Sequence, residues 1–170
     1  MRIGDQKSFG PLGRRTVAWL GDYNNVARSL AEAGAMLGMH VRLGCPDGYG
    51  PDEAELERVR HLGAATVLLF DRPEEAVVGA DAVHTDVWTS MGQETEREER
   101  AAAFAGWTVT EELMRTAGRH ALFFHCMPVH RGEEVTAEVM DGPRSRAIAQ
   151  AHNRMHAARG LLAFLLGVRA

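Results

Sequence analysis

Short apolar runs alternate with longer, helix-like segments along this chain, and that alternation restricts its possible folds more than any other feature. Each run has three to five mainly apolar residues and is followed by a turn-forming or polar residue, as buried strands are. The predicted strands cover residues 16–20, 41–43, 66–70, 82–85 and 122–125. Strands separated by helices favour a parallel sheet, because parallel neighbours need long crossover connections. We therefore expect a parallel sheet of about five strands with helices on both faces.

The segment after the first strand has apolar residues at helical spacing, namely Val26, Leu30, Ala33 and Leu37. Gly38 ends this predicted helix, since glycine readily adopts the left-handed conformation found just past helix ends. A strand, a glycine turn and a helix indicate the α/β class, with a Rossmann-like doubly wound parallel sheet. However, only Gly21 of the dinucleotide pattern G-x-G-x-x-G is present, and Tyr23 and Val26 replace the other two glycines. A pyrophosphate could not approach this backbone closely, so no cofactor is predicted.

Further helices are predicted over residues 52–61, 73–78, 94–104, 108–117 and 148–166. Asp52 is the predicted N-cap of the first of these, and the pair Thr108 and Glu111 matches a capping box for the fourth. The charged side chains of the helix predicted over residues 94–104 are expected to be solvated. Residues 1–13, which include three glycines and a proline, are predicted to be a linker or lead-in. Residues 14–170 are predicted to form one domain that includes the C-terminal helix.

Composition excludes several classes of function. The net charge is −4, which favours neither nucleic acid nor an anionic membrane as a partner. The longest apolar run, residues 161–166, is too short to span a bilayer, and the first seven residues lack the apolar core of a signal peptide. Two cysteines, Cys45 and Cys126, do not make a disulfide framework, so reduced thiols and a cytoplasmic location are expected.

Polar residues follow three of the predicted strands. They are the pair Asn24 and Asn25, the segment 86–93, and the segment 125–131. Because right-handed crossovers place the carboxyl ends of parallel strands at one edge of the sheet, these segments should be neighbours. This convergence favours a functional site over three unrelated surface loops.

The candidate residues each allow two readings. Asn25 offers a donor and an acceptor to a ligand, or it caps the next helix. Asp86 pairs with an ammonium group, or it caps the turn that follows it. Ser90 and the backbone amides of Met91 and Gly92 could hold a carboxylate.

Cys126 is the most reactive group among these candidates. It could be a nucleophile, a proton relay, a polarised contact, or only a small partly buried side chain in a loop. Zinc ligation by His125, Cys126 and His130 lacks a fourth ligand at a convincing spacing, so no metal is predicted.

Four motifs in this chain resemble those of ornithine carbamoyltransferases, in the same order and spacing. The segment 86–92, DVWTSMG, resembles the family's D-x-W-x-S-M-G loop, and segment 125–135, HCMPVHRGEEV, resembles H-C-L-P-x-H-R-G-E-E-V. The turn 21–25, GDYNN, is similar to G-D-G-N-N, and segment 153–157, NRMHA, is similar to the helix start E-N-R-x-H-A. The resemblance covers residues 8–167. The S-M-G loop favours ornithine over aspartate and disfavours putrescine.

The resemblance implies the second, ornithine-binding domain of an enzyme of amino-acid metabolism, in arginine biosynthesis or the urea cycle. In the family, the δ-amine of L-ornithine attacks carbamoyl phosphate to give L-citrulline and phosphate. The residues that would hold the α-amino and carboxylate end of ornithine are Asn25, Asp86, Ser90 and Met91. Asp86 and Cys126 would also handle the proton of the amine. Arg154, with the backbone around Cys126 and Met127, would face the oxygens of carbamoyl phosphate.

Three side chains depart from the family pattern. Met127 replaces a leucine of similar volume, Tyr23 replaces a glycine and is expected to crowd its turn, and His152 replaces the glutamate before Asn153 and Arg154. The replacement at His152 is expected to weaken the orientation of Arg154.

Two family motifs of the first domain are absent from these 170 residues. These are the S-x-R-T loop and the H-P-x-Q segment, which bind carbamoyl phosphate in the family. The chain is therefore expected to be inactive alone and to use carbamoyl phosphate only with a separately supplied first domain. The apolar side chains expected to be exposed without that domain are Leu161, Leu162, Phe164, Leu165 and Leu166. Their exposure predicts self-association or a homo-oligomer. The alternatives are a non-catalytic amino-acid-binding module and a degenerate fragment.

Overall fold

The computed structural model describes residues 12–63, 66–89, 92 and 94–168, so most of the predicted lead-in lies outside the described residues. The strands are β1 (Thr16–Leu20), β2 (His40–Gly44), β3 (Val67–Phe70), β4 (Ala82–Thr85) and β5 (Leu122–His125). All neighbouring strands pair in parallel, in the order β3-β2-β1-β4-β5. The order reverses between β1 and β4, because β2 and β3 lie on one side of β1 and β4 and β5 lie on the other. This is the predicted doubly wound sheet.

The helices are α1 (Asn25–Met36), α2 (Glu53–Arg60), α3 (Pro73–Val77), α4 (Arg97–Ala103), α5 (Glu111–Ala117), α6 (Ala137–Met140) and α7 (Ala147–Leu165). A short 3-10 helix, Glu94–Glu96, precedes α4. Alternate residues of β1 point to opposite faces of the sheet, as the strand period requires. Trp19 packs with α1 and α2 on one face, whereas Leu20 packs with α3 and α5 on the other. The prediction of helices on both faces is therefore confirmed.

Helix α1 packs on the sheet through small residues as well as through two of the predicted apolar ones. Its fully buried residues are Ala27, Ala31, Gly34 and Ala35. Val26 and Leu30 are partly buried and pack against the same core, whereas Ala33 and Leu37 are exposed. A Cβ added at Gly34 would lie 2.8 Å from Cγ2 of Val41, so the close packing on β2 requires a small residue there. The apolar spacing therefore predicted part of the packed face and missed its small residues.

The predicted capping box is also wrong. The N-cap of α5 is Thr110, whose hydroxyl accepts a hydrogen bond from the amide of Leu113. Val109 instead forms a bridge with Val135, and its carbonyl accepts a hydrogen bond from the amide of Thr136. This pairing holds residue 109 in an extended conformation, so the helix cannot begin at Thr108.

Helix α7 leaves the body of the protein early. Of its 19 residues, only Ala147 is buried. The large apolar residues exposed near its end are Leu161, Leu162, Phe164, Leu165 and Leu166, as predicted. Among the described residues, no helix has the length and apolar character needed to cross a bilayer.

Candidate functional site at the carboxyl ends of β1, β4 and β5

Three loops meet where the strand order reverses. Leu20, Thr85 and His125 are in register at the ends of β1, β4 and β5. The residues that follow them therefore begin side by side, at the position where doubly wound sheets bind ligands. The structure thus brings together the described residues of the three polar segments that the sequence placed at this edge.

Asn24 and Asp86 join the first two loops. The side-chain amide of Asn24 donates a hydrogen bond to Oδ2 of Asp86 over 2.9 Å, and its Oδ1 accepts from the amides of Val26 and Ala27. The N-cap of α1 is therefore Asn24, and the capping alternative for Asn25 is wrong. Asn25 is the first residue of the helix and is exposed. Two consecutive asparagines gave the sequence no means of choosing between them.

Asp86 is a buried carboxylate, 9% exposed. Besides the bond from Asn24, its Oδ1 accepts a hydrogen bond from the amide of Val87 over 2.8 Å. Asp86 therefore binds the backbone of the turn that follows it, as the capping reading expects, and pairing with an ammonium group stays a prediction. Its carboxylate, the His125 ring and the Cys126 thiol each place an atom within 4.8 Å of the others.

The Cys126 thiol is half-buried beside this carboxylate. Burial and, next, a hydrogen bond to Asp86 raise the pKa of Cys126 well above its ordinary value, while Arg154 opposes this effect more weakly. Nucleophilic attack requires the thiolate. The neutral thiol therefore fits a hydrogen-bonding or proton-relay role better than the nucleophilic one.

A buried pair orients the backbone after β5. His125 and Glu134 are both fully buried, and Nε2 of His125 lies 3.2 Å from Oε1 of Glu134. Nδ1 of His125 accepts a hydrogen bond from the amide of Met127 over 2.9 Å. Glu134 also accepts from the amide of His130 over 2.6 Å. These contacts support Met127 at a positive φ of 63°.

Arg154 reaches the same backbone from α7. Its Nη1 donates a hydrogen bond to the carbonyl oxygen of Cys126 over 3.2 Å. One helical turn earlier, the amide nitrogen of Gln150 lies 2.8 Å from Nε2 of His84. The ring of His84 stacks between Trp19 and Phe124, with centroid distances of 5.2 and 6.4 Å. Gln150 therefore fixes the start of α7 on the sheet.

Arg100 belongs to this region, although its charge was predicted to be solvated. It is 6% exposed, and its Nη1 donates to Oδ2 of Asp22 over 2.7 Å and to the carbonyl of Trp88 over 3.0 Å. The available signal was its position four residues before Phe104, because residues at i and i+4 share one helix face. Phe104 is fully buried. The charge of Arg100 taken alone therefore predicted a solvated side chain, whereas the side chain is buried.

Some predicted site residues are not placed among these contacts. Ser90 and Met91 lie outside the described residues. His152 is exposed on α7. Tyr23 is half-buried and its hydroxyl donates to Oε1 of Glu55 over 3.0 Å, so it points toward α2 rather than toward Asp86.

The three side chains considered as zinc ligands are not a set that the structure groups. His125 and Cys126 lie near Asp86, whereas His130 lies near Glu133 and Glu134. In the first group, Nδ1 of His125 accepts a backbone hydrogen bond from Met127.

Comparisons with known proteins identify the family of this chain. The family model for the aspartate/ornithine carbamoyltransferase Asp/Orn-binding domain matches residues 14–165. The ornithine carbamoyltransferase of Parasynechococcus marenigrum is 50% identical over 165 residues, which are 95% of this chain and 52% of the relative. The ornithine carbamoyltransferase of Symbiobacterium thermophilum is 49% identical over 161 residues, which are 93% of this chain and 52% of the relative.

Solved structures give the same result. The ornithine carbamoyltransferase of Pyrococcus furiosus superimposes with a TM-score of 0.86 at 41% identity, over 95% of this chain and 52% of that one. The Thermus thermophilus enzyme superimposes with a TM-score of 0.80 at 43% identity, over 93% of this chain and 50% of that one. The chain spans about half the length of the curated relatives it matches. By its sequence, its fold and the three loops that meet at one sheet edge, the chain belongs to the aspartate/ornithine carbamoyltransferase family, as the Asp/Orn-binding domain.

Proposed function

We propose that this chain supplies the ornithine-binding half of an ornithine carbamoyltransferase, which converts carbamoyl phosphate and L-ornithine to L-citrulline and phosphate. The observation that carries the proposal is the buried Asp86 carboxylate, which lies beside the Cys126 thiol and accepts a hydrogen bond from Asn24. A buried carboxylate next to neutral donors is suited to a cationic substrate. The family match and the relatives' names support ornithine as that substrate.

The chemistry requires an amine without its proton. An alkyl ammonium has a pKa of about 10.4, so the δ-amino group must lose a proton before its lone pair can attack. In the proposed reaction, the new bond joins the δ-nitrogen to the carbamoyl carbon. The bond from that carbon to the phosphate oxygen breaks, and phosphate leaves. Asp86 and Cys126 are the groups that we assign to the proton of the amine.

The remaining roles follow the two charged ends of the substrates. Asn25, Asp86, Ser90 and Met91 are proposed to hold the α-amino and carboxylate groups of ornithine. Arg154 and the backbone at Cys126 and Met127 are proposed to face the carbamoyl phosphate oxygens, where a guanidinium suits phosphoryl oxygens. The contact from Arg154 to the Cys126 carbonyl supports this placement. Holding both substrates in one geometry would itself supply much of the rate.

We further propose a cytoplasmic, self-associating protein without nucleic-acid or membrane partners. Its two cysteines are unpaired, as reduced intracellular thiols are. The exposed apolar end of α7 supports association with the carbamoyl phosphate half or with a second copy.

Isothermal titration calorimetry of the purified chain with ornithine, with and without carbamoyl phosphate, tests the proposal. We expect Asp86→Asn to weaken ornithine binding at least about 30-fold, since losing one member of a buried charged pair costs roughly 2–5 kcal/mol. Asp81→Asn is the matched control, because Asp81 precedes β4 at the opposite edge and pairs with Arg15. Unchanged ornithine affinity in Asp86→Asn would refute the assigned pocket.

Activity is tested by adding a separately produced carbamoyl phosphate half from a relative. We expect citrulline only in the mixture, and citrulline from these 170 residues alone would contradict the assignment as one half. Ornithine binding without citrulline in the mixture would support the non-catalytic binding module instead.

A further inference from the structure

Arg100 connects more parts of the site than any one contact described above. Its Nε donates to Oε2 of Glu96 over 2.9 Å, and its Nη1 donates to both the Trp88 carbonyl and Asp22. The guanidinium carbon also lies 5.1 Å from the centre of the Tyr49 ring. One guanidinium therefore contacts the loops that follow β1, β2 and β4.

These contacts close a ring of interactions around Asp86. Trp88 and Glu96 flank the segment that carries the S-M-G motif, one on each side, and both bind Arg100. Asp22 stands two residues before Asn24, and Asn24 binds Asp86. Arg100 and Asn24 are thus two separate links between the turn after β1 and the loop after β4.

We propose that Arg100 is a positioning residue that fixes this loop against the turn after β1 and thereby holds Asn24 and Asp86 ready for the ammonium group. The inference rests on the proposed function, because it assigns Asp86 to ornithine. Arg100 does not touch the substrate in this proposal. It acts through Asp22 and Trp88, whose positions set the distance between the two loops.

Only arginine fits this role among the cationic side chains. Its planar fork presents several donors in fixed directions, whereas a lysine ammonium is a single flexible point charge. The site requires bonds to two carboxylates and a carbonyl from three different segments. Lysine preserves the charge but cannot reproduce all three directions at once.

A purely structural ion pair would behave differently. Its loss would lower the unfolding midpoint and increase hydrogen exchange throughout the sheet, with no selective effect on ornithine. A positioning role instead predicts local loosening of the two linked loops and weaker ornithine binding at a nearly unchanged midpoint.

The experiment compares Arg100→Lys with the wild-type chain by hydrogen-exchange mass spectrometry and ornithine calorimetry. We expect peptides covering residues 21–25 and 86–96 to exchange at least about tenfold faster, while peptides from β1 and β2 keep their rates. We expect the ornithine Kd to rise about tenfold. Arg97→Lys is the control, because Arg97 lies one turn earlier on α4, is exposed, and pairs with Glu133.

Asp22→Asn provides a second variant if Arg100→Lys does not fold. It removes the charge partner, keeps an acceptor, and should loosen the same two peptides. The inference is overturned if exchange rises uniformly across the sheet, if the two peptides keep their rates, or if they loosen without any change in ornithine Kd. Failure of the proposed function has a separate signature: the wild-type chain would not bind ornithine, while local loosening in Arg100→Lys would still support the link between the loops.

Discussion

Asp86 and Cys126 form a pair in which each side chain changes what the other can do. The carboxylate accepts a hydrogen bond from Asn24 and another from the backbone of Val87, so it remains fixed. Its proximity disfavours a second negative charge on the Cys126 sulfur. The thiol can therefore donate a hydrogen bond to Asp86, and in the proposed function this residue pair would couple the charge of the substrate to the thiol proton.

The reactivity of Cys126 follows from this coupling. We expect iodoacetamide at pH 8 to modify Cys126 at least about tenfold more slowly than a free cysteine, because each unit of raised pKa lowers the thiolate fraction about tenfold. Asp86→Asn should accelerate the reaction, since burial would still raise the pKa of Cys126 but the further contribution of the Asp86 carboxylate would be lost. Mass spectrometry in a Cys45→Ser background isolates the one thiol. Modification of wild-type Cys126 at the rate of free cysteine would contradict the neutral-thiol interpretation.

His84 gives a prediction for acid stability. Burial, followed by the proximity of His125, lowers the pKa of His84 to about 4. The unfolded pKa is about 6.5, so the unfolded state binds more protons between these values. The contribution of His84 to the free energy of unfolding is present above pH 6.5 and is lost as pH falls toward 4. The full contribution is about 3 kcal/mol.

Urea unfolding between pH 7 and pH 4 measures this term. His84→Phe keeps an aromatic ring between Trp19 and Phe124 but cannot titrate. We expect the variant to lose less stability than the wild type over this range, and His61→Phe, at an exposed histidine, to behave as the wild type does. Identical pH dependence in His84→Phe and the wild type would show that His84 does not titrate in this range.

At the scale of secondary structure, a single hydroxyl determines where α5 begins. The Thr110 side chain caps the helix, while residue 109 pairs with residues 134–136. We expect Thr110→Ala to lower the free energy of unfolding by about 1 kcal/mol, as N-cap losses typically do. Thr108→Ala is the matched control and should cost less than half as much. An equal or larger loss in Thr108→Ala, measured by urea unfolding, would restore the capping box inferred from the sequence.

This element also shows how far the sequence alone could lead. The strand predictions 16–20, 82–85 and 122–125 match the observed strands, because short apolar runs depend on local composition. The N-cap of α5 and the small residues buried on α1 depend on distant partners, which are the segment 134–136 and Val41 respectively. Local patterns contain no information about those partners, so the capping box was wrong and the face of α1 was only partly predicted, while the strands were right.

The site was predictable to a similar extent. Topology alone brought Asp86 and Cys126 to one edge, since the ends of β4 and β5 must be adjacent in this order. Arg100 was missed because its burial depends on acceptors that are distant in the sequence, Asp22 after β1 and the Trp88 carbonyl after β4, besides the nearby Glu96. The residues proposed to touch the substrate are thus visible as motifs, whereas the contacts of Arg100 become visible only in three dimensions.

For the molecule as a whole, α7 is the element least supported by the rest of the structure. Gln150 and Arg154 attach its first turns to the sheet, whereas Leu161, Phe164 and Leu165 near its end are exposed. Contiguous exposed apolar surface of this kind favours association. The same surface would be available to the carbamoyl phosphate half in the proposed function.

Self-association through this surface is therefore a testable consequence. We expect analytical ultracentrifugation of the wild-type chain to show a sedimentation coefficient that rises with concentration, and Phe164→Glu to weaken that association at least about tenfold. The reason is that a charge placed in a buried apolar contact is strongly unfavourable unless it is paired. Met36→Glu is the matched control, because Met36 is 69% exposed at the end of α1, compared with 79% for Phe164 at the end of α7. Equal weakening by both variants would mean that association depends on net charge, whereas an effect confined to Phe164→Glu would locate the contact on α7.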